Sequence, residues 1–233
     1  MEEQRKAGER KVSFVRTEDG SFTLFVPELQ EHYHSTHGAL AESQHVYVDS
    51  GLMAFVPCPK RIKILEVGLG TGLNVLLSFR AVQHFFPMGA DYVGLEPFRL
   101  PSAIIDSMGY DGLCEGEEEL ALIKRLTDLP AGEKRHINDK FSLCIEEVRL
   151  EGYALKGSFD LIYFDAFAPV VQPELWDEAV FVRLFDALLP GGILVTYCAQ
   201  GKFKRALKSA GFVVEALPGP KGKREITRAR KLG

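Results

Sequence analysis

The sequence has few cysteines, and their arrangement suggests neither a cross-linked fold nor a metal site. Cys58, Cys114, Cys144 and Cys198 are spread over 233 residues without a CxxC pair. Structural zinc sites need closely spaced ligands, and disulfide frameworks belong to short secreted chains. The histidines between residues 32 and 45 have no carboxylate or cysteine at a recognised ligand spacing. We therefore expect no metal and a reducing compartment.

Long hydrophobic runs and an overall positive charge are also missing. No apolar run reaches the ~18 residues that a membrane span requires, and no apolar leader segment follows the polar N-terminus. We expect a soluble, cytoplasmic protein without a membrane partner. The net charge of -4 disfavours non-specific coating of nucleic acid. Between residues 201 and 233, however, ten Lys or Arg stand against two Glu, which predicts a local basic patch.

Apolar runs that alternate with helix-forming stretches predict an α/β fold with a parallel sheet. Strands that are buried on both faces read as short continuous apolar runs, and several runs here lead into glycine or a carboxylate. The predicted strands are 63–67, 91–95, 141–146, 160–164, 192–198 and 212–217. The predicted helices are 73–85, 117–126 and 173–189. This alternation is typical of a Rossmann-like sheet with helices on both faces.

Residues 1–58 are predicted to form a small β-rich extension that covers the site, followed by the Rossmann-like domain over residues 59–233. β-branched and aromatic residues between Val12 and Val26 flank Asp19-Gly20, a pair typical of hairpin turns. A second β-like run covers residues 45–48 after a polar stretch. Proline at 57 and 59 then marks the boundary.

A glycine-rich loop follows the first predicted strand of the larger domain. That strand leads through Glu66 into Gly68, Gly70 and Gly72, and then into a helix that carries Asn74. Glycine allows a tight turn and a close approach of the backbone to a ligand. The GxGxG spacing differs from the fingerprint that binds a pyrophosphate. It predicts a nucleotide-like cofactor that needs no phosphate contact, although a turn that only closes the βα unit is the alternative.

Carboxylates follow three further strands at the edge where such sheets bind ligands. Glu96 is positioned to accept both ribose hydroxyls, but the alternative is a surface residue that caps the next helix. Glu147 is a candidate partner for an adenine amino group. Asp165 is the candidate catalytic residue beside the cofactor, although it could merely cap its loop. Trp176, the only tryptophan, reads equally well as a core residue.

Several motifs together resemble the bacterial tRNA 5-methylaminomethyl-2-thiouridine methyltransferases. The runs FDAFAP at 164–169 and PELW at 173–176 carry the resemblance most clearly. Further matching segments are YHSTHGA at 33–39 with Glu42-Ser43, the loop 68–74, Thr196-Tyr197, Ala210-Gly211-Phe212 and Gly222-Lys223-Arg224-Glu225. The resemblance covers nearly the whole chain.

The resemblance implies a class I methyltransferase that moves a methyl group from S-adenosylmethionine to the amine of 5-aminomethyl-(2-thio)uridine at the tRNA wobble position. Asp165 would orient that amine, and Phe167 with Pro169 would contact the base, with packing as the alternative for Phe167. Lys223 and Arg224, with the other basic residues of the tail, would meet tRNA, the alternative being a solvated helix and a frayed terminus. Many relatives carry a fused flavin oxidase; we expect this chain to act without it, with an oxidase in trans.

Two other functions are compatible with the same fold. A transferase that acts on a small amine would also place an aspartate after the fourth strand, but the polyamine synthases have a Gly-Gly-Gly-Asp-Gly loop. A tRNA-binding module without catalysis would tolerate loss of Asp165, and the intact glycine loop argues against it.

Overall fold

The computed structural model describes residues 11–155 and 158–233, and these begin with a small antiparallel sheet. Its strands are β1 (Ser13–Arg16), β2 (Phe22–Val26) and β3 (Glu31–His32), paired in that order. The predicted hairpin is confirmed. The turn between β1 and β2 contains Gly20 at φ 86°, a backbone conformation that glycine adopts without a steric penalty.

A second sheet of eight strands forms the centre of the molecule. Its strands are β4 (Ile62–Val67), β5 (Ala90–Leu95), β6 (Arg135–His136), β7 (Phe141–Glu146), β8 (Phe159–Phe164), β9 (Leu188–Thr196), β10 (Val213–Pro218) and β11 (Glu225–Arg230). The spatial order is β10-β11-β9-β8-β4-β5-β7-β6, and the five strands from β9 to β7 are parallel. All six predicted strands are present. The sequence interpretation missed β6 and β11, the latter lying in the basic tail for which it weighed tRNA contacts against a frayed terminus.

Six α-helices accompany the two sheets within the described residues. They are α1 (Ala39–Ser43), α2 (Leu73–Phe85), α3 (Ser102–Asp106), α4 (Glu117–Asp128), α5 (Glu178–Ala187) and α6 (Gly201–Ser209). Short 3-10 helices cover Leu52–Phe55, Tyr110–Leu113, Leu150–Gly152 and Pro173–Trp176. The prediction of one helix over 173–189 was wrong at both ends. Asp177 is extended and separates the 3-10 turn from α5, and β9 begins at Leu188.

Residues 44–49 form a π-helix, so the predicted β-like run over 45–48 was wrong. The π-helix Gln44–Asp49 continues α1 and buries the consecutive residues Val46, Tyr47 and Val48. A strand would alternate these side chains between two faces. The segment packs against α2 and β9, which cover several of its sides at once. A short apolar run does not by itself distinguish a buried strand from a buried helix.

Alternate residues of the central strands face two apolar cores. Ile64 and Leu161 belong to the core that α2 and the π-helix cover, whereas Leu65 and Ile162 belong to the core beneath α5 and α6. The chain runs from β4 to β5 and β7 on one side, then crosses to β8 and β9 on the other, so the strand order reverses beside β4. Open α/β sheets bind ligands at the carboxyl edge of such a reversal. None of the helices in the described residues is long and apolar enough to cross a membrane.

Candidate active site

A cavity of about 390 Å³ opens at the carboxyl edge of the main sheet, where β4, β5 and β8 end. Its size falls within the range of roughly 300–1,000 Å³ that is typical of small-molecule sites. The wall is formed by residues 67–70, 95–98, 148–151 and 165–168 from the main sheet, by residues 31–36 with Glu42 from the N-terminal segment, and by Gln172, Leu175, Tyr197 and Lys223. The N-terminal segment therefore forms one side of the cavity.

The glycine loop after β4 presents bare backbone to this cavity. Gly68 has φ 91°, and a Cβ there would lie 2.5 Å from the carbonyl oxygen of Asp165. Gly70 has φ 54°, and a Cβ would lie 3.0 Å from the Tyr33 ring. Gly72 serves packing instead, because its Cβ would lie 2.5 Å from Leu126 Cδ1 on α4. A side chain at Gly68 or Gly70 would thus collide with another residue of the cavity wall.

Glu96 follows β5 and is buried in the cavity wall. The backbone N–H of Gly70 donates to its Oε2 at 3.0 Å, and that of Phe98 donates to its Oε1 at 3.0 Å. These backbone donors hold the Glu96 carboxylate in the cavity wall. Helix α3 begins only at Ser102 and has no side-chain cap, which removes the capping alternative for Glu96.

Glu147 lies outside the cavity wall. Its Oε1 is 3.1 Å from Nη1 of Arg99, and its side chain is 49% exposed. The following residues, Val148 and Arg149, line the cavity instead. The structure therefore does not bring Glu147 to the site at which the sequence placed it.

Asp165, directly after β8, is held by donors from two other elements. The Tyr47 hydroxyl of the π-helix donates to its Oδ1 at 2.5 Å, and the Asn74 amide of α2 donates to its Oδ2 at 2.9 Å. Burial raises the pKa of Asp165 to about 7, and the hydrogen bond from Tyr47 opposes this effect.

Glu66 and Asn74 stand behind Asp165 and lie outside the cavity wall. The Asn74 amide also donates to Oε1 of Glu66 at 2.7 Å, and the Tyr92 hydroxyl donates to Oε2 at 2.8 Å. Burial, together with the nearby Asp165 charge, raises the pKa of Glu66 well above its ordinary value. Asn74 therefore links Asp165 to the buried Glu66 inside the fold.

The loop after Asp165 is fixed by hydrogen bonds to its backbone. Tyr197 donates to the carbonyl of Ala166 at 2.9 Å, and the indole N–H of Trp176 donates to the carbonyl of Phe167 at 2.9 Å. Trp176 is buried among aromatic rings, which confirms its interpretation as a core residue. Through its indole N–H it also positions the loop. The Phe167 ring meets Tyr33 edge-on, with centroids 5.2 Å apart, whereas Pro169 lies outside the wall.

Lys223 enters the cavity wall from the loop between β10 and β11. Lys223 Nζ donates to Glu42 Oε1 and lies 4.1 Å from the centroid of the Tyr197 ring. The neighbouring Arg224 is exposed and lies outside the wall. Burial lowers the pKa of His34 to about 4, which leaves this wall residue neutral at pH 7. Within residues 11–155 and 158–233, no group of three or more His, Cys, Asp or Glu is placed to hold a metal.

The chain is similar to known proteins in sequence and in fold. Residues 121–232 match a family described as S-adenosyl-L-methionine-dependent methyltransferases. This match shows similarity to these methyltransferases over slightly less than half of the chain. The predicted Rossmann-like α/β methyltransferase fold and its cofactor are thereby confirmed. The glycine loop and the buried Glu96 carboxylate in the same cavity wall fit a nucleoside cofactor of this kind.

Curated relatives extend the similarity across most of the chain. The tRNA 5-methylaminomethyl-2-thiouridine biosynthesis bifunctional protein MnmC of Cupriavidus necator is 30% identical over 213 residues, which cover 88% of this chain and 32% of that protein. The protein of the same name from Pseudomonas fluorescens is 28% identical over 213 residues, covering 86% and 32%. The chain spans about a third of the length of these relatives.

Two solved structures share the fold. MNMC2 from Aquifex aeolicus superposes with a TM-score of 0.74 at 24% identity, covering 96% of this chain and 71% of that one. Spermidine synthase from Thermotoga maritima superposes with a TM-score of 0.59 at 14% identity, covering 94% and 68%. At these identities the likeness concerns the fold alone.

Proposed function

We propose that this chain transfers a methyl group from S-adenosylmethionine to the primary amine of 5-aminomethyl-(2-thio)uridine at the wobble position of tRNA. The observation that carries the proposal is the place of Asp165, between the glycine loop and the aromatic residues Tyr33 and Phe167. The curated relatives, whose name refers to biosynthesis of tRNA 5-methylaminomethyl-2-thiouridine, support this choice of acceptor.

The cofactor side of the cavity is assigned to the loops after β4 and β5. S-adenosylmethionine, when bound, supplies a methyl group that is activated by a positively charged sulfur. Glu96 would accept its ribose hydroxyls, and Gly68 with Gly70 would admit the rest of the cofactor to the backbone. Glu66, Gly72 and Asn74 support this wall from behind. Glu147 is left out of the assignment because it pairs with Arg99 outside the cavity.

Asp165 is assigned the task of making the acceptor amine reactive. An alkyl ammonium has a reference pKa of about 10.4, so it must lose a proton before its nitrogen can attack. Asp165, with its pKa raised by burial to about 7, accepts a proton better than an ordinary aspartate. The nitrogen lone pair then forms the bond to the methyl carbon as the carbon–sulfur bond breaks, and the electron pair of that bond stays on sulfur. Phe167 and Tyr33 would flank the base, since base–aromatic stacking contributes ~1–3 kcal/mol.

Exposed cations around the site are proposed to contact tRNA phosphates. Lys202, Arg205 and Lys208 recur at spacings of three residues along α6 and are exposed, as is Arg224. Phosphate contacts from such residues position a nucleic acid without reading its sequence. In this proposal an oxidase in trans supplies the aminomethyl precursor, and the reaction takes place in the cytoplasm.

The test is transfer of labelled methyl from S-adenosylmethionine to tRNA from cells that lack this activity, followed by nucleoside analysis. Label in 5-methylaminomethyl-uridine is expected with the wild-type protein and with Asp106→Ala, a control at an exposed aspartate. Asp165→Ala is expected to give none. An unlabelled tRNA despite tight cofactor binding would contradict the proposal and favour the alternative, a transferase that acts on a small amine.

A further inference from the structure

Tyr47 contacts Asp165 from the N-terminal part of the chain, and no sequence motif singles it out. It lies on the π-helix, 118 residues before Asp165, and is 1% exposed. Its ring packs on Tyr163 with centroids 5.2 Å apart, which directs the hydroxyl to Oδ1 of Asp165. A buried tyrosine in an apolar run reads as a core residue, so no motif marks it.

The Asp165 carboxylate is held on both oxygens, each by a donor from a different element. Tyr47 donates a hydrogen bond to Oδ1 and Asn74 donates one to Oδ2. Asp165 itself lines the cavity. Two donors fix the plane of the carboxylate, which leaves its remaining lone pairs available to a ligand. Groups that act on a reacting atom need such support, because a small misplacement costs a large part of the rate.

We propose that Tyr47 is a positioning residue for methyl transfer, whose hydroxyl holds Asp165 in the orientation and the ionised state that the acceptor amine requires. The inference rests on the proposed function, in which Asp165 accepts the proton of the amine. The N-terminal segment then contributes to the chemistry through Tyr47, in addition to forming a wall of the cavity.

The groups around Asp165 show how the Tyr47 hydroxyl affects the pKa of Asp165. Burial raises the pKa of Asp165 to about 7, the hydrogen bonds from Tyr47 and Asn74 and the Lys223 charge lower it, and Glu42 raises it. Glu66, Tyr92 and Tyr197 are the other titratable groups that interact with Asp165. Burial and Asp165 raise the pKa of Tyr47 well above its ordinary value, so Tyr47 remains a donor throughout the working pH range.

The experiment compares Tyr47→Phe with Tyr163→Phe in the full chain. Both variants remove one buried hydroxyl from the same aromatic cluster, but the Tyr163 hydroxyl pairs with Ser78 and does not touch Asp165. The first measurement is the titration of Asp165 by carboxyl ¹³C NMR, with the signal assigned from Asp165→Asn. The second is kcat/KM for labelled methyl transfer as a function of pH.

Tyr47→Phe is expected to raise the titration midpoint of Asp165 by about one pH unit. The acid limb of the kcat/KM profile should shift to higher pH by the same amount. The value of kcat/KM should therefore fall roughly 10-fold near pH 6 and much less at pH 9. Tyr163→Phe should leave the midpoint unchanged. A merely structural role for Tyr47 would lower the rate at every pH alike and would not move the limb.

A midpoint in Tyr47→Phe that equals the wild-type value overturns the inference. In case that variant does not fold, the wild-type protein provides an independent check. The hydroxyl proton of Tyr47 should give a downfield ¹H signal that disappears in Asp165→Ala, which lacks the acceptor oxygen, and its persistence there would also overturn the inference. Because neither NMR measurement needs tRNA, a shifted midpoint without tRNA methylation would support the Tyr47–Asp165 assignment and contradict only the tRNA function.

Discussion

At the scale of single residues, Glu96 combines two tasks in one carboxylate. It accepts backbone N–H groups from Gly70 and Phe98, and it borders the cavity. Glu96→Gln keeps the shape but replaces one acceptor oxygen by a donor and removes the charge. Since a hydrogen bond to a charged group contributes ~1.5–3 kcal/mol, we expect S-adenosylmethionine to bind roughly 10- to 100-fold more weakly in calorimetry.

Glu147→Gln is the matched control for this prediction. Glu147 is half-exposed and pairs with Arg99 outside the cavity, and exposed ion pairs contribute little. We expect its cofactor affinity to stay within about twofold of wild type. Equal losses in the two variants would contradict the assignment of Glu96 and restore Glu147 as a cofactor residue.

Asp165 makes the stability of the protein depend on pH. Its pKa is about 7 in the folded state against 3.8 for an ordinary aspartate, so the folded protein retains a proton that the unfolded chain releases between these values. Stability therefore falls as pH rises through this window, by about 1.4 kcal/mol per unit, and stays lower above it. Asp165→Asn removes this dependence.

The expected result is that the melting temperature of Asp165→Asn, relative to wild type, increases from pH 4 to pH 8. Thermal unfolding followed by circular dichroism at pH 4, 6 and 8 measures it. Asp106→Asn, at an exposed position on α3, is the control and should show no such trend. A constant difference between Asp165→Asn and wild type would contradict the raised pKa.

At the scale of elements, two glycine variants can distinguish the effect of the contact between the loops after β4 and β8 from the effect of backbone strain. Gly68 and Gly191 both have positive φ, 91° and 78°, but a Cβ at Gly68 meets the Asp165 carbonyl whereas one at Gly191 meets open space. The alanine variants of both should lose ~1–2 kcal/mol from the left-handed conformation. Only Gly68→Ala should also abolish methyl transfer, because it pushes the Asp165 loop away.

Denaturant unfolding and the methyl-transfer assay together measure the two effects. An active Gly68→Ala variant would show that the two loops need not touch for the reaction. An inactive Gly191→Ala variant would instead indicate that general destabilisation explains both losses.

At the scale of the whole molecule, the boundary predicted near residue 59 does not separate two cores. Val46, Tyr47 and Leu52 belong to the same apolar core as Ile64 and residues of α2. A chain that begins at residue 59 would expose this core face to water, and each large apolar side chain contributes ~1.5–3 kcal/mol when buried. We therefore expect such a chain to lack cooperative unfolding in calorimetry. A cooperative transition near the full-length melting temperature would contradict this expectation.

The sequence by itself determined the parallel sheet, the glycine loop and the carboxylates Glu96 and Asp165 at the strand ends. These features are local, because a buried strand needs an uninterrupted apolar run and the residue that follows it necessarily lies at the sheet edge. The same reasoning placed Glu147 at the edge, but could not foresee that its side chain would pair with Arg99 outside the cavity wall.

Only the tertiary structure decided the helical form of residues 44–49, the pairing of β11 between β9 and β10, and the contact of Tyr47 with Asp165. Each depends on a contact between segments that are far apart in the chain, and apolar periodicity records whether a residue is buried, not which partner it meets. The tyrosine hydroxyl that holds Asp165 comes from 118 residues away, so the folded chain, rather than any local motif, assembles this part of the site.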